Sequence, residues 1–288
     1  MRGFLRRVVP LTWRRRVVAL RDHWQQWRNL RSARFALRRF TRSGPPEPLT
    51  VGIPDVAAIP VVMCMWQRPE RIADVLAELA AQTVTRRVRL LIWNNDPTND
   101  DRYVRSIANG VRGALSSVEL FSSDVNVGGA GRMLAADWLV AHGYEGPVVL
   151  IDDDQRVGKG FVDALLESWK PRTYAGVWAW RIHSDYWDRS AAGPDENASY
   201  VGTGGSIVDA SLLVDPHLRS ALAGPSLMLE DILLSWRAHA AGYRVRAAEA
   251  EFEFVEDQRD QWRALAEAKP RLYDALGRFA LSPRGDAR

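Results

Sequence analysis

The chain has 288 residues, 47% of them hydrophobic and 26% charged, enough to bury a full core and fitting a soluble globular protein, most simply one α/β domain. Its single cysteine, Cys64, excludes an intramolecular disulfide, and no stretch approaches the roughly 18 to 20 apolar residues of a membrane-spanning helix. The overall charge of +4 is unevenly spread. Residues 1–42 hold thirteen Arg against one acid, Asp22, a net +12 that leaves the rest of the chain at −8.

Within that basic segment Val17, Leu20, Trp24, Trp27 and Leu30 recur at three- and four-residue steps, with Arg14, Arg15, Arg21, Arg28 and Arg31 largely between them. This is the pattern of an amphipathic helix. Trp and Leu on one face with Arg on the other suit an anionic membrane surface, and equally suit a helix docked on the acidic body of the same protein. An organelle transit peptide shares the Arg-rich, acid-poor composition. No base-reading module accompanies the arginines, so no nucleic-acid partner is expected. Residues 43–58, opening with Ser43-Gly44-Pro45-Pro46-Glu47-Pro48, break the helix and read as a linker to a domain over 59–260.

That domain opens with a β run at Val61 to Met65, a periodic Ala-rich helix at Arg71 to Ala81 and a second β run at Val88 to Trp93. Further β runs are expected at Ser117 to Phe121 and Pro147 to Ile151. Helices are expected at Met133 to Ala141, about Gly160 to Trp169, and about Leu229 to Ala241. Residues 261–288 form a helical extension interrupted at Pro270. The βα order predicts a largely parallel sheet with ligands at the carboxyl ends of its strands. The polar groups fall there: Asn94-Asn95-Asp96 after the second strand, Asp124 to Arg132 after the third, and Asp152-Asp153-Asp154 after the fourth.

Three consecutive carboxylates after an apolar strand repel one another unless water, Arg or Lys partners, or a divalent metal offset them. Mg²⁺ is the natural candidate, because one or two carboxylates commonly hold it together with substrate phosphates.

Four segments in order carry a family resemblance: Val62 to Glu70 with Gln82, Asn126-Val127-Gly128-Gly129-Ala130-Gly131, Asp152-Asp153-Asp154, and Glu230-Asp231. Together they resemble glycosyltransferase family 2, and the glycine segment is similar to that of galactofuranosyl- and rhamnosyltransferase-like members. The resemblance spans about Pro60 to Phe254. It implies the GT-A fold, a mixed, mostly parallel sheet flanked by helices, and a hexosyltransferase that takes a nucleotide-diphosphate sugar. It further implies a glycan or lipid-linked acceptor, Mg²⁺ or Mn²⁺, and work at the cytoplasmic face of a membrane on a cell-envelope glycan.

Carried onto this chain, the resemblance makes Asp154 the metal ligand, with Asp152 beside the metal and the ribose or sugar. Asp153 faces the sheet or the donor sugar, and Asn94 the nucleobase. Asn126, Gly128 and Gly129 allow close backbone approach to the donor. Arg132 pairs with phosphate or with an aspartate. Trp180, Gly204, Gly205 and Glu230 line the donor or acceptor loop. Asp231 becomes the general base that takes the acceptor hydroxyl's proton in an inverting reaction. Each residue also has an ordinary structural reading. Glu230 or Asp231 caps a helix, Asn94 to Asp96 form a polar turn before Pro97, and at least one of Trp178 and Trp180 packs in a core.

The pattern departs from the family at Met133, where many members have Asn, and at Glu251 to Gln258, which lacks the downstream histidine ligand. There Glu256 or Asp257 substitutes, or the metal keeps a water. Two other functions fit parts of the pattern: a nucleotidyltransferase on a related fold, and a degenerate non-catalytic sugar-binding protein.

Overall fold

A computed structural model describes residues 30–108, 110–194, 196–224, 226–255 and 265–282. Helix α1 occupies 30–43, followed by β1 (Leu49–Gly52), β2 (Ile59–Met65), α2 (Ile72–Ala80), β3 (Val88–Asn94), α3 (Asp100–Ile107), β4 (Leu115–Ser122), α4 (Ala130–Ala141) and β5 (Pro147–Asp152). Next come β6 (Gln155–Val157), α5 (Phe161–Ser168), β7 (Thr173–Gly176), β8 (Ala179–Ile182), β9 (Arg189–Ala191), β10 (Tyr200–Val201) and β11 (Ser206–Asp209). The chain continues through α6 (Ala210–Leu213), α7 (Pro216–Leu222), α8 (Glu230–Ala240), β12 (Arg244–Ala247), β13 (Phe252–Phe254) and α9 (Ala268–Ala275).

The main sheet has eight strands in the order β1-β4-β3-β2-β5-β11-β7-β12. Strands β4, β3, β2 and β5 pair in parallel, while β1 and β11 run against their neighbours. The sheet is largely parallel, as the βα order predicts, and mixed and flanked by helices, as the family resemblance implies. Its central strands are buried on both faces, which is why Ile59–Met65 and Val88–Asn94 read as near-continuous apolar runs. Alternation still divides them. Val62, Leu91, Trp93 and Leu150 enter a core with α1, α4, α6, α7 and α8, while Val61, Met63, Ile92 and Ile151 enter one with α2, α3 and α5.

Several expectations change. The segment 43–58 contains an edge strand, because Leu49–Gly52 pairs antiparallel with Leu120 to Ser117 of β4. Helix α4 begins at Ala130, three residues before the expected start, so part of the glycine segment is helical. The helical extension is interrupted next to Pro270, as expected: a turn at 266–267 separates residue 265 from α9, and Pro270 lies in the first turn of α9, where its missing N–H would have no intrahelical partner.

Helix α1 docks on the body. Ala33, Ala36, Leu37 and Phe40, at helical spacing, are buried; Phe40 meets Trp93 edge to face at 5.5 Å, and Arg39 pairs with Asp124 at 2.9 Å. Of the apolar stripe from Val17 to Leu30, only Leu30 falls within the described residues. No helix among the described residues is long and apolar enough to cross a membrane.

Candidate active site

The ends of β2, β3 and β5 and the start of β11 meet at one sheet edge, since β11 runs antiparallel and so begins where β5 ends. The carboxylates of the triplet diverge there. Asp153 turns inward: its Oδ1 accepts from Arg68 at 2.7 Å and its Oδ2 from the Trp66 N–H at 2.9 Å. Burial pushes its pKa up against the opposing pull of Arg68. Asp152 bonds to Arg132, and its N–H donates to Gln155 Oε1 at 3.1 Å.

Asp154 is different. Its Oδ1 is buried without a hydrogen-bond partner. Burial, then the charges of Asp152 and Asp153, raise its pKa to about 7. An unpaired buried carboxylate oxygen among like charges calls for a cation. No group of three or more metal-ligating side chains gathers among the described residues. The Asp154 oxygen therefore fits a Mg²⁺ or Mn²⁺ ion that takes most of its ligands from outside the protein, and the described side chains do not form a cage of their own. Asp152, offered as a second ligand, is held by Arg132. The main chain of β13 runs alongside, with the Val255 N–H donating to the Asp154 carbonyl at 2.9 Å. Glu256 and Asp257 lie outside the described residues.

Arg132 is the hub of the cluster. Its side chain, 5% exposed, reaches Asp152 on one side and Glu230 Oε1 at 3.4 Å on the other, tying the triplet to the start of α8. Of its two predicted partners, phosphate or aspartate, the structure supplies the aspartate. Glu230 lies over Gly129, where any Cβ would collide with its carboxylate. A Cβ on Gly204 would likewise strike Asp152, so both glycines are sites of close approach. Gly128 and Gly205 adopt φ of +60° and +74°. Asn126 Oδ1 accepts from the Gly128 N–H at 2.7 Å, fixing the turn.

Asn94 and Asn95 part company. Asn94 is fully buried, its amide committed to Asp96 and Asp100, and it does not line the strand edge as a nucleobase contact. Asn95 instead braces the glycine loop, donating to the Gly128 carbonyl at 3.1 Å and accepting from the Val127 N–H at 2.9 Å. Trp180 stacks on Trp178 at 6.1 Å and has the Arg189 guanidinium 4.5 Å from its ring centroid, so protein groups already occupy its ring surface. Tyr186 is core, while Trp187 is 42% exposed.

Among the carboxylates of the triplet and the Glu230-Asp231 pair, Asp231 accepts from the most donors. Tyr200 Oη and Lys269 Nζ both donate to Oδ2, the lysine at 3.0 Å, and the Ile232 N–H donates to Oδ1 at 2.8 Å. Burial alone would raise its pKa, but Lys269 and the hydrogen bonds outweigh burial and bring it below the usual carboxylate value. Its neighbour behaves oppositely. Burial and the charge of Asp231 push Glu230 up to about 7 despite Arg132. Neither Glu230 nor Asp231 is the N-cap: Leu229 holds that position without a side-chain cap bond, and Asp231, inside the first turn, accepts from its neighbour Ile232. Sequence reasoning missed Arg68 and Lys269, which meet their partners across 85 and 38 residues of chain.

No protein-family model matches the chain, and no match is found among curated proteins. Solved structures similar to it include TarS of S. aureus, at 14% identity and a TM-score of 0.46 over 75% of this chain and 40% of that one. TarS residues 1–349 give 17% identity and 0.45 over 68% and 59%; the same fragment in complex with UDP-GlcNAc gives 15% and 0.49 over 72% and 61%. The chain thus spans less than two thirds of each of these structures.

Proposed function

We propose that this protein is a glycosyltransferase that moves a sugar from a nucleotide-diphosphate donor to a hydroxyl of a glycan or glycolipid, with inversion. One observation carries the reading: Arg132 joins Asp152 of the triplet to Glu230 at the start of α8, and Glu230 in turn lies on Gly129 of the glycine loop. Transfer from such a donor breaks the bond between the anomeric carbon and phosphate oxygen. Negative charge then builds on the departing diphosphate, and the acceptor hydroxyl must lose a proton.

The residues divide that work. Asp154 would hold Mg²⁺ or Mn²⁺, which supplies Lewis-acid neutralisation of the diphosphate. The glycines at 129 and 204 let the Glu230 and Asp152 carboxylates pack directly on the backbone, and Arg132 holds both carboxylates in place beside the donor. Asp231, ionised at neutral pH, accepts the hydroxyl proton on the face opposite the leaving group.

An assay of the full chain with a panel of nucleotide-sugars, Mg²⁺ or Mn²⁺ and lipid-linked or oligosaccharide acceptors tests this. Release of nucleoside diphosphate coupled to a glycosylated acceptor is expected. Pyrophosphate chemistry would replace the reading with nucleotidyl transfer, and silence throughout would leave a sugar-binding protein.

The basic segment fits an anionic membrane acceptor surface. Beyond its docked face, α1 presents Phe35, 72% exposed, together with Arg38 and Arg42. Vesicles with anionic lipid should bind the full chain and lose it when residues 1–42 are removed; equal binding by both forms refutes this.

A further inference from the structure

Helix α9 belongs to an extension that the sequence places outside the catalytic domain, yet its first turn reaches the start of α8. Lys269 Nζ lies 3.0 Å from Asp231 Oδ2, and each side chain is 15% exposed. The Tyr200 hydroxyl from β10 donates to the same oxygen, while the Ile232 N–H of α8 holds the other. Donors from three elements thus fix one carboxylate. Tyr273, Leu272, Leu276 and Phe279 pin α9 in place against Ile182, Tyr186, Tyr200 and Ile232. A nearly buried ammonium carries a desolvation cost that only a well-made partner offsets.

We propose that Lys269 is a positioning residue: with Tyr200 it holds the Asp231 carboxylate in one orientation towards the acceptor hydroxyl, which makes the C-terminal helix part of the active site. The inference rests on reading Asp231 as the base. The titratable groups facing Asp231 are Glu230 on its own helix, Lys269 from α9, Tyr200 from β10, Tyr186 from the connection between β8 and β9, and Tyr174 from β7. Glu230 opposes ionisation of Asp231, and Lys269 offsets it. The adjacent carboxylates are thereby driven apart, one ionised and one close to neutral, as in acid–base pairs whose environments assign them different roles.

Titration of the full chain by carboxyl ¹³C NMR tests the arrangement without any substrate, the Asp231 resonance being identified by its loss in Asp231→Asn. In the wild type its midpoint should lie below the ordinary Asp value of about 3.9. Lys269→Met should raise that midpoint, and Lys269→Arg should restore it; an unmoved midpoint overturns the proposal. Tyr200→Phe removes the second donor and keeps the ring that packs against α9. It should move the midpoint in the same direction by less, so the test does not depend on how Lys269→Met folds.

In turnover, Lys269→Met should lower kcat by roughly 10- to 100-fold, as misplacement of a reacting group does. Its donor KM should stay nearly constant, the acidic limb of the pH profile should move upward, and Lys269→Arg should recover part of the rate. Wild-type turnover with an unchanged limb and kcat in Lys269→Met sinks the positioning role. A shifted midpoint in a protein that turns over no nucleotide-sugar supports the positioning contact and sinks the transferase reading instead.

Discussion

Asp231→Asn should lower transfer by roughly 10²- to 10⁴-fold, the range supplied by a positioned general base, while donor affinity stays nearly unchanged. The amide keeps the shape of the carboxylate and its oxygen can still accept from Ile232, while its nitrogen can neither take the proton nor accept from Tyr200 and Lys269. Donor affinity should persist because the glycine loop, Asp152 and Asp154 are untouched. The sign of the pH dependence follows from the depressed pKa. Asp231 is ionised throughout the neutral range, so a rate governed by it falls only as pH drops through its folded pKa, below the usual carboxylate value. Stability has the same sense: the ion pair contributes fully above the unfolded pKa and is lost as pH falls through the folded one. At pH 7 the substitution strands the nearly buried Lys269 and should cost about 3 kcal/mol, a loss that fades in acid as the wild-type carboxylate protonates. Turnover measured on protein shown to be folded by thermal melting separates the effects, and near-normal rates would remove Asp231 as the base.

The positions of these carboxylates were legible in the sequence, but their partners were not. A strand buried on both faces announces itself as an apolar run, so β2, β3 and β5 were plain, and the triplet had to emerge at the end of β5. The start of α8 was equally plain from its acidic first turn. Strand β1 was hidden because it is four residues long, follows a Pro-rich segment and joins the edge through backbone pairing with β4, for which side chains give little signal. Asn94 and Asn95 show a different limit. They are adjacent and chemically identical, and their roles separate only through Asp100 on α3 and the backbone of the glycine loop. Lys269 carries no local mark at all. It looks like any lysine opening a helix until the aromatic contacts of α9 bring it to Asp231.

Asp154→Asn should have opposite effects on stability and on catalysis. The wild-type carboxyl titrates near pH 7 in the metal-free protein, pushed up by burial and then by Asp152 and Asp153. A folded pKa above the unfolded one means that the folded state binds more protons between about pH 4 and pH 7. Stability therefore falls as pH rises through that window and stays reduced above it. Removing the charge should make Asp154→Asn more stable than the wild type at pH 8 without metal, by about 2 kcal/mol once the shift is discounted for partial solvent screening. No gain is expected at pH 4, where both carry a neutral group. Mn²⁺ with a nucleoside diphosphate should reverse the order, stabilising the wild type by mass action and leaving the variant unmoved. Metal-dependent turnover should fall about 10³-fold, in line with the several kcal/mol that a Lewis-acid ion supplies. Thermal melts at pH 4 and pH 8, with and without Mn²⁺ and a series of nucleoside diphosphates, test the whole pattern. An Asp154→Asn protein that still responds to metal would move the ion elsewhere. One that is no more stable than the wild type at pH 8 would show that Asp154 is not held under electrostatic strain, and with that the physical reason for a cation at this strand end would be lost.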